Sequence, residues 1–224
     1  MIHGWLEHAQ GILGKGAINL EQNSRKTIIL ASTSPRRQEL LAGLRIEFDI
    51  IPSDANEDTP AEWSPQEVVS ELAQRKAKAV LGKLAPHQTD GIIIGSDTVV
   101  VRDSDILGKP KDVQEAASMI RSLQGREHTV FTGVSCLDIM SGKVLTRWRS
   151  TKVRMKSMTE TQVLAYAQSG EGLDKAGAYA IQGLGAMLIT EIEGDYFNVV
   201  GLPLSLLGDM LLDMGYDVLT HSGT

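Results

Sequence analysis

Hydrophobic and polar positions after residue 24 follow two periods, which predicts strands that alternate with helices. The β-branched run at residues 27–31 predicts the first strand, which ends in a serine-rich turn. In that turn, Ser34 is a favourable N-cap residue and Pro35 fits the first helical position, so a helix is predicted from Pro35 to about Leu44. Further strands are predicted at residues 48–51, 92–101, 129–139 and 144–155.

Three more helices have recognisable start signals. Ser64 begins a capping box with Pro65 just inside it, and similar signals stand at Asp112 and Thr159. A last helix is predicted at residues 203–214. Because the last two predicted strands form a hairpin while the others alternate with helices, the pattern predicts an α/β fold with a mixed sheet.

The helix predicted from Pro65 carries a lysine on its apolar face. Its apolar stripe consists of Val69, Leu72, Ala73, Ala77 and Val80. Lys76 falls within this stripe by helical spacing. A cation on a buried face either extends its ammonium group to solvent or pairs with an anion. Both alternatives are open at this point.

Three further charged residues stand where their type is informative. Asp97 lies in the middle of the most hydrophobic predicted strand, where a carboxylate needs a cation, a metal or hydrogen-bond donors. Lys109 sits on a rigid Gly-Lys-Pro turn, and Glu57 belongs to an acidic stretch at residues 54–58. For Asp97 the alternative is a structural ion pair, and for the other two it is simple solvation.

The serine-rich turn at residues 32–37 predicts a phosphate site. A strand that feeds a helix start exposes free backbone N–H groups, here beside the hydroxyls of Ser32 and Ser34. Arg36 and Arg37 stand in the first helical turn, where cations oppose the helix dipole, and a bound anion would resolve that conflict. The alternative is that both arginines are solvated or pair with carboxylates. Together these charges suit an enzyme that binds a triphosphate with one divalent ion.

Composition narrows the function classes. The 22 basic and 28 acidic residues among 224 give a net charge of −6, so no overall basic field attracts nucleic acid. The single cysteine, Cys136, excludes an intrachain disulfide and is predicted to be buried. No apolar stretch reaches membrane-spanning length and the first residues do not form a secretory signal, so we expect a cytoplasmic protein that binds no membrane.

Several ordered motifs resemble the Maf family of nucleoside triphosphate pyrophosphatases, also described as septum-formation inhibitors. The motifs are residues 30–41 (LASTSPRRQELL), 95–100 (GSDTVV), 108–110 (GKP), 125–133 (GREHTVFTG), 174–183 (DKAGAYAIQG) and 192–203 (IEGDYFNVVGLP). The resemblance covers residues 27–215. It leaves residues 1–24 as an extension of unknown role before a single domain at residues 25–224.

The resemblance implies a fold and a reaction. The fold is of the Maf/inosine-triphosphatase type, with an elongated mixed sheet and two lobes around a nucleotide cleft. The reaction is metal-dependent hydrolysis of dTTP and UTP to the nucleoside monophosphate and pyrophosphate, a house-cleaning of the nucleotide pool. The implied cofactor is Mg²⁺, with Mn²⁺ or Co²⁺ as alternatives, and the implied assembly is a homodimer.

The resemblance also implies residue roles. Asp97 is the proton acceptor, and Glu57 and Asp97 hold the metal. Asp54 and Asp58 in the same acidic loop are the alternatives to Glu57. Lys76 is a second catalytic group, and Lys109 contacts the phosphates. The residues tied to base choice are Arg36, Thr98 and Gln182.

Two alternative functions stay open. One keeps the chemistry and changes the base, to CTP or to a modified nucleotide such as 7-methyl-GTP. The other is a nucleotide-binding regulator of cell division that has no turnover.

Overall fold

The structure, a computed structural model, describes residues 26–221, so the predicted extension at residues 1–24 lies outside the described residues. The elements in chain order are β1 (Thr27–Leu30), α1 (Pro35–Ala42), β2 (Phe48–Ile50), α2 (Pro65–Leu81), β3 (Gly91–Arg102), β4 (Asp105–Leu107), α3 (Val113–Leu123), β5 (Glu127–Asp138), β6 (Val144–Met155), α4 (Glu160–Gln168), β7 (Ile189–Glu193), α5 (Tyr196–Val200), α6 (Leu204–Leu212) and α7 (Val218–His221). The predicted α/β class is confirmed.

One seven-stranded sheet organises the described residues. Its order is β2-β1-β3-β5-β6-β7, and β4 pairs with β3 beside this path. β1 is parallel to both β2 and β3, whereas β3 is antiparallel to β4 and β5. The predicted mixed sheet is therefore confirmed, and β3 is the strand at which its direction changes.

One edge of β3 is interrupted in its middle. β1 pairs with residues 91–94 of β3, and β4 pairs with residues 100–102 on the same side. Between them, residues 95–99 have no strand partner on that edge, although β5 pairs with them on the other. Asp97, the carboxylate predicted to need a partner, lies in this interval, where β3 lacks a neighbouring strand on one edge.

Two hydrophobic clusters flank this opening, as the predicted two-lobed fold requires. The first packs the start of β3, including Ile94, against α1 and α6. The second packs the end of β3, including Val100, against α3 and α4. Cys136 is fully buried in the first cluster, which confirms its prediction as a core residue. Asp97 stands on β3 between the two clusters.

Two glycines allow α2 to lie directly on the sheet. A Cβ atom on Gly95 would stand 2.1 Å from the carbonyl oxygen of Ala73, and one on Gly133 would stand 2.2 Å from that of Val69. Neither distance is sterically possible, so these neighbouring positions on β3 and β5 must lack a side chain. The backbone of α2 therefore contacts the backbone of the sheet, and the predicted stripe is buried.

Local signals were accurate at some helix starts and less so at others. The Ser64 capping box with Glu67 and the Thr159 box with Gln162 are both confirmed. Ser34 is the N-cap of α1, but its side chain makes no capping hydrogen bond. The other differences are boundaries and short elements: α1 ends at Ala42, α6 ends at Leu212, and β4, β7, α5 and α7 were not predicted.

Within residues 26–221, no helix combines the length and the hydrophobicity that crossing a bilayer demands.

Candidate active site

A single cleft brings together all the predicted site residues. Its volume is about 540 Å³. Its lining includes Ser32, Ser34, Arg36, Arg37, Glu57, Lys76, Asp97, Thr98, Lys109 and Gln182. These residues come from the β1–α1 turn, the acidic loop, α2, β3, the turn after β4 and the loop before β7. The predicted set is therefore one site in space, although its chemical roles stay predictions.

Lys76 joins two carboxylates at the centre of the cleft. Its Nζ lies 2.6 Å from Asp97 Oδ1 and 2.8 Å from Glu57 Oε1. The side chains of Lys76 and Asp97 are only 13% and 11% exposed, whereas Glu57 is 55% exposed. Of the two alternatives for the stripe lysine, pairing with an anion is the one observed. Because α2 lies on glycines, its lysine reaches β3 directly.

The two carboxylates differ in their environment. Burial raises the pKa of Asp97 above its ordinary value, against the opposing effects of Lys76 and Arg37. Burial acts in the same direction on Glu57, but the hydrogen bond and charge of Lys76, with further help from Lys109, bring its pKa below the ordinary value. A buried carboxylate with a raised pKa beside a lysine is typical of a group that exchanges protons.

Arg37 donates hydrogen bonds to the part of β3 that lacks a neighbouring strand on one edge. Its Nη1 donates to the Ser96 carbonyl oxygen at 2.8 Å, and its Nη2 donates to Thr98 Oγ1 at 3.0 Å. Its Nε donates to the Gly201 carbonyl oxygen at 2.8 Å. Burial lowers the pKa of this guanidinium. The phosphate contact predicted for Arg37 thus competes with three internal acceptors, and the observed contacts hold both neighbours of Asp97.

Thr98 belongs to a chain of hydrogen bonds. Thr132 Oγ1 donates its proton to the Asn198 carbonyl oxygen at 2.8 Å. The 3.0 Å contact between the two threonine hydroxyls must then have Thr98 as the donor, because each hydroxyl has one proton. Thr98 also accepts from Arg37, so it offers a nucleotide only a remaining lone pair. The predicted role of Thr98 in base choice depends on its size and position more than on donation.

The remaining predicted cations lie around the mouth of the cleft. Arg36 is 23% exposed, and its Nη1 lies 3.6 Å from Asp174 Oδ2. Lys109 is exposed on its turn and lines the same cavity. At the floor, the backbone N–H of Ser34 donates to Ser32 Oγ at 3.1 Å. The α1 N-terminus and these two cations face a common space that suits a chain of phosphates.

Glu57 and Asp97 are the candidate ligands of the predicted divalent cation. Within residues 26–221, no group of three or more His, Cys, Asp or Glu side chains is arranged to hold a metal. Glu57 and Asp97 nevertheless both contact the Lys76 nitrogen atom, so the two carboxylates lie close enough together to be candidate ligands of one ion. Hard cations such as Mg²⁺ accept a few carboxylates and take their other ligands from water and phosphate.

Two residues of the cleft lining, Lys175 and Tyr179, were not predicted from the sequence as site residues. Lys175 is 12% exposed, and its Nζ donates to the Glu171 carbonyl oxygen and lies 2.6 Å from Asp174 Oδ1. Tyr179 also lines the cavity, and its hydroxyl lies 2.6 Å from Nε2 of buried His128. Both residues stand in the 174–183 motif, so the motif itself was the available signal.

The fold and the cleft define an α/β protein that surrounds a buried carboxylate with cations. Residues 27–214 match the family model described as Maf-like protein. The chain belongs to this family.

Two curated relatives carry the same name. The dTTP/UTP pyrophosphatase of Pelotomaculum thermopropionicum is 48% identical over 194 residues, which cover 87% of this chain and 100% of that protein. The dTTP/UTP pyrophosphatase of Thermoanaerobacter pseudethanolicus is 47% identical over 184 residues, with 82% and 94% coverage. Among solved structures, that of the Staphylococcus aureus Ham1 protein gives a TM-score of 0.41 at 12% identity, covering 84% of this chain and 100% of that chain.

Proposed function

We propose that this protein hydrolyses dTTP and UTP to the nucleoside monophosphate and pyrophosphate. The observation that carries the proposal is the Lys76–Asp97 pair, held at the interrupted edge of β3 in a cleft lined by cations. The names of relatives up to 48% identical supply the choice of base. The word pyrophosphatase in those names supports the anhydride between the α- and β-phosphates as the bond that is broken, because cleavage there releases pyrophosphate.

Binding of the phosphate chain falls to groups at the start of α1 and around the mouth of the cleft. The α1 N-terminus, with the Ser32 and Ser34 hydroxyls, offers donors to an anion. Arg36, Lys109 and Lys175 add positive charge on the same cavity. Positioning and charge neutralisation are the main sources of rate enhancement in phosphoryl chemistry.

Asp97 is the proton acceptor in this proposal. A water molecule attacks phosphorus and gives its proton to the Asp97 carboxylate, while the phosphoanhydride bond breaks and pyrophosphate leaves. Lys76 holds the carboxylate in place at 2.6 Å and stabilises negative charge that develops nearby. A divalent cation bound by Glu57 and Asp97, whether Mg²⁺, Mn²⁺ or Co²⁺, would polarise the phosphate oxygens and neutralise the departing pyrophosphate.

Base choice is assigned to Gln182 with Arg36 and Thr98. The half-buried Gln182 lines the cleft, and its amide offers one donor group and one acceptor. Thymine and uracil present two carbonyl acceptors around one N–H donor, whereas cytosine reverses the pattern at position 4. A site matched to uracil leaves polar groups unpaired against cytosine, at a cost of roughly 1–3 kcal/mol each.

Turnover of a nucleotide panel tests the proposal. Wild-type protein is assayed with dTTP, UTP, CTP, GTP and 7-methyl-GTP, with Mg²⁺, Mn²⁺, Co²⁺ or a chelator, and the products are identified. We expect similar kcat/KM for dTTP and UTP and at least a ~10-fold lower value for CTP and GTP, because ~1.4 kcal/mol corresponds to tenfold. A preference for CTP or 7-methyl-GTP would overturn the base assignment, and binding without turnover would favour a regulator of division.

An Asp97→Asn variant tests the assigned proton acceptor. We expect kcat to fall by ~10²–10⁴ at saturating Mn²⁺, the usual range for loss of a positioned acid–base group. Asp209→Asn, at an exposed position on α6, serves as the matched control. Unchanged turnover in Asp97→Asn would remove this residue from the chemistry.

Homodimer formation and cytoplasmic location extend the same proposal. The homodimer is proposed from the family resemblance alone. The cytoplasmic location is proposed from the same resemblance and from the unpaired thiol of Cys136. Light scattering coupled to size exclusion would measure the first, and fractionation of cells the second.

A further inference from the structure

Two side chains outside the cleft hold the turn that carries Gln182. Tyr166 lies near the end of α4, and Glu171 follows that helix. The Tyr166 hydroxyl donates to Glu171 Oε1 at 3.0 Å and accepts from the backbone N–H of Ala180 at 3.1 Å. Neither Tyr166 nor Glu171 is among the residues that line the cavity. Their polar atoms are therefore directed at the turn and not at the cleft.

The carboxylate of Glu171 binds the other end of the same turn. Its Oε2 accepts from the backbone N–H of Leu184 at 2.9 Å, and its Oε1 accepts from that of Gly185 at 2.8 Å. The anchored residues thus stand two positions before Gln182 and two and three positions after it. With both flanks tied to one pair of side chains, the backbone at Gln182 has little freedom to shift.

Two glycines, Gly183 and Gly185, allow close contacts within this turn. Gly183 has φ +62°, and a Cβ there would stand 2.4 Å from Glu171 Oε2. A Cβ on Gly185 would stand 2.0 Å from the carbonyl oxygen of Ala180. The carboxylate therefore packs directly against the turn, and the turn closes on itself. Substitution at either glycine would break the same arrangement.

Glu171 is ionised in this setting. Burial alone would raise its pKa, but the N–H groups of Gly185 and Leu184 and the Tyr166 hydroxyl together bring it below the ordinary value. Hydrogen bonds to an ionised acceptor are stronger than those between neutral groups. The turn is thus fixed by a charge that a neutral side chain of the same shape would not replace.

We propose that Tyr166 and Glu171 are positioning residues for base selection, because their shared hydrogen bonds fix the turn from which Gln182 reaches the nucleotide. This inference rests on the proposed function, in which Gln182 selects the base. Arg36, the charged residue among the three assigned to base choice, has its ion-pair partner Asp174 three positions after Glu171. The segment that follows α4 therefore supports the base pocket from two sides.

Two variants separate positioning from simple stability. Glu171→Gln keeps the shape but turns an amide NH₂ towards one of two backbone donors, and Tyr166→Phe removes the hydroxyl that links Ala180 to Glu171. The measured quantity is kcat/KM for UTP divided by kcat/KM for CTP. We expect this ratio to fall about tenfold in each variant, mainly through a higher KM for UTP. Glu160→Gln is the control variant. It removes an exposed ion pair between Glu160 on α4 and Arg121 on α3, and it should keep the wild-type ratio.

Each outcome has a definite meaning. A smaller folded fraction lowers turnover of every nucleotide equally, so the ratio is still valid if a variant is unstable. An unchanged ratio in both variants would overturn the inference, whether turnover of UTP and CTP is normal or falls equally for the two nucleotides. Gln182→Ala provides the reference: if wild type prefers UTP and Gln182→Ala alone abolishes that preference, only the positioning inference fails. A wild-type protein without any UTP preference would overturn the base assignment and this inference together.

Discussion

Lys76 Nζ lies 2.6 Å from Asp97 Oδ1, and this contact ties a helix to the middle of the central strand. Both side chains are nearly buried, and the lysine also contacts Glu57. The pair occupies the interval of β3 where β1 has ended and β4 has not begun. A buried ion pair at an opening in a sheet is thus the central element of the proposed site.

Removal of the lysine alone should destabilise the fold. Lys76→Met leaves Asp97 buried without its cation, and breaking a buried pair in this way costs about 3–5 kcal/mol. We expect the double variant Lys76→Met/Asp97→Asn to recover much of that loss, because the uncompensated charge is gone. Urea denaturation of the wild type, both single variants and the double variant measures the coupling. Additive effects of the two substitutions would contradict it.

The adjacent arginines should respond differently to the same substitution. Arg37→Met removes three hydrogen bonds. The Gly201 carbonyl oxygen keeps Ser96 Oγ as a donor at 3.0 Å, but the contacts of the guanidinium with Ser96 and Thr98 are lost, so the melting temperature should fall, at a cost of roughly 1–3 kcal/mol for each acceptor left unpaired. Arg36→Met should lose little stability, since its ion pair with Asp174 is partly exposed, but should raise KM for UTP. Thermal unfolding and steady-state kinetics separate the two. Similar melting temperatures would contradict the structural role of Arg37.

Gly133 in β5 and Gly208 in α6 provide a test and a control for the close contact between α2 and the sheet. Gly133→Ala places a methyl group against the Val69 carbonyl and should cost about 1–3 kcal/mol while lowering kcat, since Lys76 moves with the helix. Gly208→Ala, in α6, places its new Cβ at least 4 Å from every atom other than its chain neighbours and the nearby helix backbone, so it should gain about 0.5–1 kcal/mol and leave kcat unchanged. Denaturation curves and turnover measure both. Full activity in Gly133→Ala would show that the distance between α2 and the sheet does not affect turnover.

His128 should make stability depend on pH on the acid side. Burial lowers its pKa from 6.5 to about 4. Above pH 6.5 the ring is neutral in both states, whereas between pH 6.5 and 4 only the unfolded state takes up the proton. Stability is thus fully present above pH 6.5 and decreases towards pH 4, by up to about 1.4 kcal/mol per pH unit from this group.

The His128→Gln variant checks this assignment, because an amide does not titrate and still offers a partner to Tyr179. Its free energy of unfolding should fall less steeply than that of wild type between pH 6.5 and 4. The exposed His87, changed to Gln, should keep the wild-type slope. Parallel slopes for wild type and His128→Gln would remove His128 as the source.

Local patterns predicted the parts of the site that depend on neighbouring residues. The position of Lys76 on an apolar stripe and that of Asp97 inside an apolar strand both pointed to charges that need partners. The capping boxes at Ser64 and Thr159 were predicted for the same reason, since a cap involves residues only three positions apart.

Contacts between distant residues could not be predicted in this way. Arg37 binds Ser96 and Gly201, which are 59 and 164 positions away, so its motif suggested a free cation. The strands β4 and β7 are short and form through pairing with distant or neighbouring strands, without a strong pattern of their own. The turn that carries Gln182 is likewise anchored by side chains whose spacing has no local signature.

The interrupted edge of β3 also bears on self-association. An open strand edge is normally a place where a second chain can add a strand and begin to aggregate. Here the part of the edge without a partner strand is only the five residues 95–99, and β1 and β4 flank it. The Ser96 carbonyl oxygen within it already accepts a hydrogen bond from Arg37. A foreign strand therefore has no room to lie alongside this interval, most of which is also buried.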